Sequence, residues 1–138
     1  MSENHRRTYV GGVYASPRDI APLRAAFSGA LDEWRELDLS AVRDKAGLLA
    51  ASAQALDFPP SFGANWDAWA DGLQDLSWLR WSRLVIHVRG AAGVRSAAPK
   101  DWRTALDILG DAAKYWSTHG RTLLVLVEGG RDVPPLAA

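Results

Sequence analysis

Three aspartates, Asp67, Asp71 and Asp75, follow one another at i, i+4 and i+8. On an α-helix this spacing drifts by only about 40° per step, so all three carboxylates project from one side, while Trp66, Trp69 and Leu73 take the other. No Lys or Arg stands three or four residues from any of them. Like charges so placed cost a helix about 0.2–0.5 kcal/mol per pair, and the row therefore awaits cations from elsewhere. Two kinds of chemistry suit it: holding a hard cation such as Mg²⁺, or meeting the basic groups of a partner.

Other constellations are sparse. The chain has no cysteine, which excludes a disulfide framework, a cysteine zinc site and a thiol nucleophile. No serine lies in G-x-S-x-G, and no nucleophile–base pair is visible. His87 falls within an apolar run and reads as a satisfied core residue. His119 lies at a helix C-terminus, where the dipole favours it, and His5 belongs to a polar leader. The stretch Arg89 to Ser96 contains glycines after a buried strand but lacks the Gly-Lys-Ser/Thr of a phosphate loop, so it reads as a flexible connection. No catalytic residue, metal ligand or cofactor is assigned.

The aspartates need a helix with a defined start, and Asn65 supplies an N-cap for one running from Trp66 to about Leu76. The approach, Pro59-Pro60-Ser61-Phe62-Gly63-Ala64, is stiffened by two prolines and relaxed by a glycine able to take a geometry that other residues resist. Such a loop, ordered before binding, loses little entropy on docking. Around it, Arg83–Val88 and Arg121–Val127 are near-continuous apolar strands of the kind covered by helices on both faces. Glu33–Leu39 is a weaker strand, and Thr8–Tyr14 a fourth, interrupted by Gly11 and Gly12. Helices are expected after a Ser16 cap with Pro17 and Asp19 in the first turn, from Ala41 to Leu56 after a Ser40 cap, and from Asp101 to His119 with Gly120 as its stop. The order implies an α/β fold: a small layered domain with a mainly parallel sheet of three to four strands and packed helices.

The 138 residues suit a single domain, with 1–30 as an added strand and helix and 129–138, rich in Gly and Pro, as a loose tail. A hydrophobic fraction of 48% with 23% charged residues is that of a globular protein. Neither a signal peptide nor a membrane span is visible, so the cytoplasm is the expected compartment. The net charge is zero, but it is unevenly spread. Between Asp57 and Leu79 there are four acids and no base; between Arg80 and Arg103 six basic residues face only Asp101. The two segments either pair with each other in the fold or leave the acidic one as a docking surface. The basic segment, with Trp78 and Trp81 interleaved, sustains an alternative as a nucleic-acid module.

The run Pro59-x-x-Phe62-Gly63-x-Asn65-x-Asp67-Ala68-x-x-Asp71-x-Leu73 resembles the signature of the barstar family, protein inhibitors of secreted barnase-type ribonucleases. The element order from Glu33 to Val127 is similar to that family's small parallel sheet. The resemblance implies that the loop and helix plug a nuclease active site, with Asp67 and Asp71 standing in for RNA phosphates and Gly63 and Asn65 shaping the loop and cap. On a looser alignment Asp111 supplies a further acidic contact, and Asp75 extends the row. Ser61 and Ala70 stand where the well-characterised inhibitor carries a tyrosine and a tryptophan, so aromatic anchoring comes from Phe62 or from elsewhere, or is weaker. The implied partner is a ribonuclease or related toxin, met by a cofactor-free chain that is monomeric when free; direct nucleic-acid and membrane binding are not expected. The alternatives are a metal-dependent enzyme using Asp67 and Asp71, or a nucleic-acid module using residues 80–103.

Overall fold

The computed structural model describes residues 8–136; the polar leader with His5 and the last two residues lie outside it. The elements follow in the order β1 (Gly12–Ala15), α1 (Ala21–Ala26), β2 (Asp32–Asp38), α2 (Lys45–Ala55), α3 (Trp66–Leu73), β3 (Arg83–Arg89), α4 (Ala92–Ala97), α5 (Pro99–Ser117) and β4 (Thr122–Val127). All strand pairs are parallel and the sheet order is β1-β4-β3-β2, an α/β fold as expected.

That order dictates where the helices go. From β2 to β3 to β4 the chain steps across the sheet in one direction, whereas from β1 to β2 it travels the opposite way. Right-handed crossovers then place α1 on one face and α2 to α5 on the other. The packing agrees. Leu37, Leu84, Ile86, Val88, Leu123 and Val125 face the large layer built from Leu48, Leu49, Trp69, Leu73, Leu106 and Trp116. The alternate residues Val85, Leu124 and Leu126 face Leu23 and Phe27 around α1. Burial on both faces explains why β3 and β4 read as unbroken apolar runs.

One ion pair fixes the start of β2 against β3. Arg83 donates from Nε to Asp32 Oδ1 at 2.8 Å and from Nη2 to Oδ2 at 2.5 Å, while its guanidinium lies 4.2 Å from the centre of the Phe27 ring. Arg83 and Asp32 are register partners, so this fork sets the alignment of the whole ladder.

Several local signals resolve differently from the sequence reading. Ser16 does not cap α1: its amide bonds to Val127 O at 2.9 Å, prolonging the β1–β4 pairing, and the helix begins only at Ala21 with Pro22 in its first turn. Ser40 does not cap α2 either. Asp44 does, with Oδ1 accepting from the Gly47 amide at 2.8 Å, and Ser40 is turned back onto Asp38. The supposedly flexible Arg89–Ser96 connection contains α4, held by fully buried Val94. Gly90 before it has φ +70°, and a Cβ there would stand 2.8 Å from Ser40, so the glycine is needed for a close crossing rather than for an anion. Residues 129–136, expected to be loose, are tied down. The Ala15 amide donates to Pro134 O at 2.7 Å, Trp102 Nε1 donates to Asp132 at 2.9 Å, and Val133 and Leu136 pack on the two cores. Gly120, with φ +74°, follows the end of α5 as expected.

Candidate functional site: an acidic helix and its loop

Asn65 caps α3 from an extended backbone, φ −143° and ψ 169°, its Oδ1 accepting from the Ala68 amide at 2.8 Å. Trp69, Gly72 and Leu73 are buried, while Trp66 is half-exposed, its ring tilted against that of Trp69 at 5.5 Å between centres, with Lys45 5.6 Å from its ring centre. The far end is clamped by α5, whose Trp116 donates through Nε1 to Leu73 O at 2.8 Å. Held at both ends, the helix presents a rigid outer face.

On that face Asp67 and Asp71 are exposed. α3 ends at Leu73 rather than at the expected Leu76, so Asp75 lies in the turn just past the Gln74 C-cap, where it too is exposed. None of the three forms an ion pair with any described residue. The adjacent basic segment does not answer them. Arg83 is held by Asp32, Arg89 lies 3.3 Å from Glu36, and Arg95 lies 3.3 Å from Asp132. Asp57, the remaining acid of the segment, pairs with Arg35 at 2.7 Å. Of the two outcomes open to the charge asymmetry, the described residues leave the acidic row uncompensated. Asp111 is exposed on α5, the helix that packs against α3.

The loop that enters α3 is packed from within. The Phe62 amide closes a turn onto Pro59 O at 3.1 Å, and the Phe62 ring lies 5.5 Å from Phe58 and 5.4 Å from Trp78, themselves 5.3 Å apart. Phe62 is thus an internal brace, only partly exposed, and Trp78 Nε1 ties the cluster to Leu56 O at 2.9 Å. Ser61 and Gly63 are exposed at the tip. Gly63 does not take the left-handed conformation its type allows; in this region Asp57 (φ 56°) and Leu76 (φ 47°) do. A Cβ at Gly63 would meet Asn65 Nδ2 at 3.4 Å and Ala68 Cβ at 3.8 Å, both ordinary contacts. Gly72 is the critical glycine: a Cβ there would stand 2.3 Å from Phe58 Cε2. Because Phe58 is enclosed by Phe62 and Trp78, Gly72→Ala is expected to destabilise the fold by about 1–3 kcal/mol, checked by urea denaturation, with altered near-UV circular dichroism from the aromatic cluster.

A second polar cluster, on the opposite sheet face, gave no local sequence signal. His87, 5% exposed, meets Glu36 through Nδ1 at 2.9 and 3.2 Å. Glu36 also accepts from Trp34 Nε1 at 2.7 Å and is flanked by Arg24 at 3.6 Å and Arg89. Burial acts to raise the Glu36 pKa, but the hydrogen bonds from Trp34 and His87 and the charge of Arg89 outweigh it, leaving the carboxyl below its ordinary value of 4.5. A carboxyl depressed in the folded state contributes stability that is present above its unfolded pKa and lost as pH falls through the folded one. Glu36→Gln is therefore expected to flatten the loss of stability below about pH 4.5 in denaturation curves taken across pH.

Neither alternative chemistry is favoured by this arrangement. Among the described residues no three His, Cys, Asp or Glu side chains gather into a group able to hold a metal ion. Trp81 is buried against Trp116, with ring centres 4.9 Å apart, and Trp78 is engaged by the loop, so neither offers a face for base stacking. No helix among the described residues is long and apolar enough to cross a membrane.

A search of curated proteins finds no match. The profile of the family described as Barstar (barnase inhibitor) matches residues 17–128, which takes in α3, its loop, β2 to β4 and the helices between them. The capped acidic helix, the parallel sheet that carries it and a match over most of the chain lead to one placement: this chain belongs to the barstar family.

Proposed function

We propose that this chain inhibits a barnase-type ribonuclease by seating α3 and the Ser61–Asn65 loop in the enzyme's active site. The observation that carries this is the row of exposed, unpaired carboxylates on a helix whose cap and C-terminal clamp hold it still. A ribonuclease must gather Arg, Lys and His around the phosphodiester it cleaves. Asp67 and Asp71 are the principal contacts in that basic recess, where Arg–carboxylate bonds are charge-assisted and can be bidentate. At an effective dielectric near 20, one such contact at about 4 Å carries about 4 kcal/mol of attraction before desolvation is subtracted. Asp75 and Asp111 flank the contact, Gly63 and Ser61 allow close approach at the loop tip, and Phe62 and Asn65 keep the loop and helix in place.

In this role the chain performs no chemistry of its own, works without a cofactor, and is monomeric until it meets its partner. It acts in the cytoplasm as an immunity protein or antitoxin against a secreted ribonuclease. The test is a titration of RNA cleavage by a barnase-type ribonuclease encoded beside this chain. Stoichiometric inhibition, relieved competitively by an RNA oligonucleotide and weakened by salt, is the expected result. Cleavage that continues undiminished within a complex of the two proteins would remove active-site occlusion as the mechanism.

A further inference from the structure

The face of the sheet turned away from α3 carries a cavity of about 380 Å³ at the C-terminal ends of the strands. Parallel register places Tyr14, Leu126, His87 and Glu36 in one row, and the two-residue period of a strand carries Ser16, Glu128 and Arg89 to the same face one step further on. The two buried α1-layer residues, Leu23 and Phe27, join Val85, Leu124 and Leu126 in the smaller core. Beyond them the cavity is walled by Ser16, Arg18, Ile20, His87 and Glu128. Ligands of open α/β sheets settle at this end of the strands.

Two features give the cavity a chemistry. His87 is 5% exposed, and its Nδ1 is held by the Glu36 carboxylate. An ionised carboxylate there draws the ring proton to Nδ1, leaving Nε2 as an acceptor that makes no hydrogen bond with any described residue. Furthermore, Arg18 and Glu128 line the same cavity with opposite charges yet form no ion pair, with each other or with any other described residue.

From this juxtaposition we infer that the cavity binds a small zwitterion of the α-amino-acid type. Its ammonium group lies between the Glu128 carboxylate and His87 Nε2, and its carboxylate meets Arg18. A cavity edged by an unpaired cation and an unpaired anion suits a dipolar ligand better than a simple ion of either sign, and the volume is within the range of small-molecule sites. The site shares no wall residue with the α3 surface, so its test is independent of ribonuclease inhibition.

The probes are glycine, leucine and glutamine, each beside its N-acetyl derivative and its methyl ester, titrated into the full chain while the His87 ring nitrogens are followed by NMR. Saturable displacement of the His87 Nε2 resonance by at least one free amino acid is expected, with the acetylated and esterified forms at least about tenfold weaker. Arg18→Met and Glu128→Gln should each weaken binding about tenfold while leaving the melting temperature unchanged. Absence of saturation with all three amino acids, equal binding of the blocked derivatives, or binding indifferent to both substitutions would overturn the assignment.

Discussion

Asp71→Ala is expected to weaken binding to the target ribonuclease by about 2 kcal/mol or more, at least thirtyfold in Kd, while leaving the fold intact. Asp71 is exposed, pairs with no described residue, and lies one helical turn from Asp67, which it repels. Its removal relieves one like-charge helical pair worth about 0.2–0.5 kcal/mol, so folded stability should hold or rise slightly. Asp67→Ala should cost comparable affinity but behave differently in the free protein. It stands in the first turn of α3, and losing a carboxylate at the positive end of the helix dipole costs about 0.3–1 kcal/mol. Calorimetric titration against the ribonuclease, with urea denaturation of each variant alone, separates the two contributions. Unchanged affinity in both variants would remove α3 from the interface.

Asp32→Ala is expected to cost about 3 kcal/mol of stability, the low end for breaking one partner out of a buried ion pair. The Asp32 side chain is 4% exposed and that of Arg83 16%. Asp32 also accepts from the Gly29 amide at 2.9 Å, so the turn into β2 loses a bond as well. The stranded guanidinium would remain beneath the Phe27 ring and next to Ala26 O at 3.3 Å, with no carboxylate to offset its desolvation. Against a total stability of about 5–15 kcal/mol for a domain, this is a large fraction. The double variant Asp32→Ala/Arg83→Met should recover part of the loss, because it removes the unpaired charge. An unfolding free energy within about 0.5 kcal/mol of the parent for Asp32→Ala would show that the fork contributes little.

What could be read in advance was local. The cap at Asn65, the one-turn spacing of Asp67 and Asp71 and the stripe from Trp102 to Trp116 each lie within a few turns of one helix, and each reappears in the structure, whereas Asp75 falls past the end of α3. So do β3 and β4, because continuous burial leaves a continuous apolar run. The misreadings share a cause: partners distant in sequence. Ser16 has the look of a helix cap until Val127 takes its amide. The Gly-rich stretch after β3 reads as loose until Val94 is buried and Arg95 meets Asp132. The Glu36–His87 contact joins residues 51 apart through strand register, which no short window of sequence contains.

The tethered C-terminal stretch has a consequence for how the chain behaves among its own copies. A parallel sheet has two open margins, and an open margin recruits further strands, which is the first step toward aggregation. Here β4, the most apolar strand, is shielded by β1, and Pro134 and Pro135 lie beside Ala15 on the outer side of β1, where proline cannot donate to an incoming strand. The opposite margin, β2, bears Asp32, Glu33, Arg35, Glu36 and Asp38 along its length. One border is closed by proline and the other guarded by charge, so strand-by-strand polymerisation is blocked on both sides while the acidic helix remains free to dock.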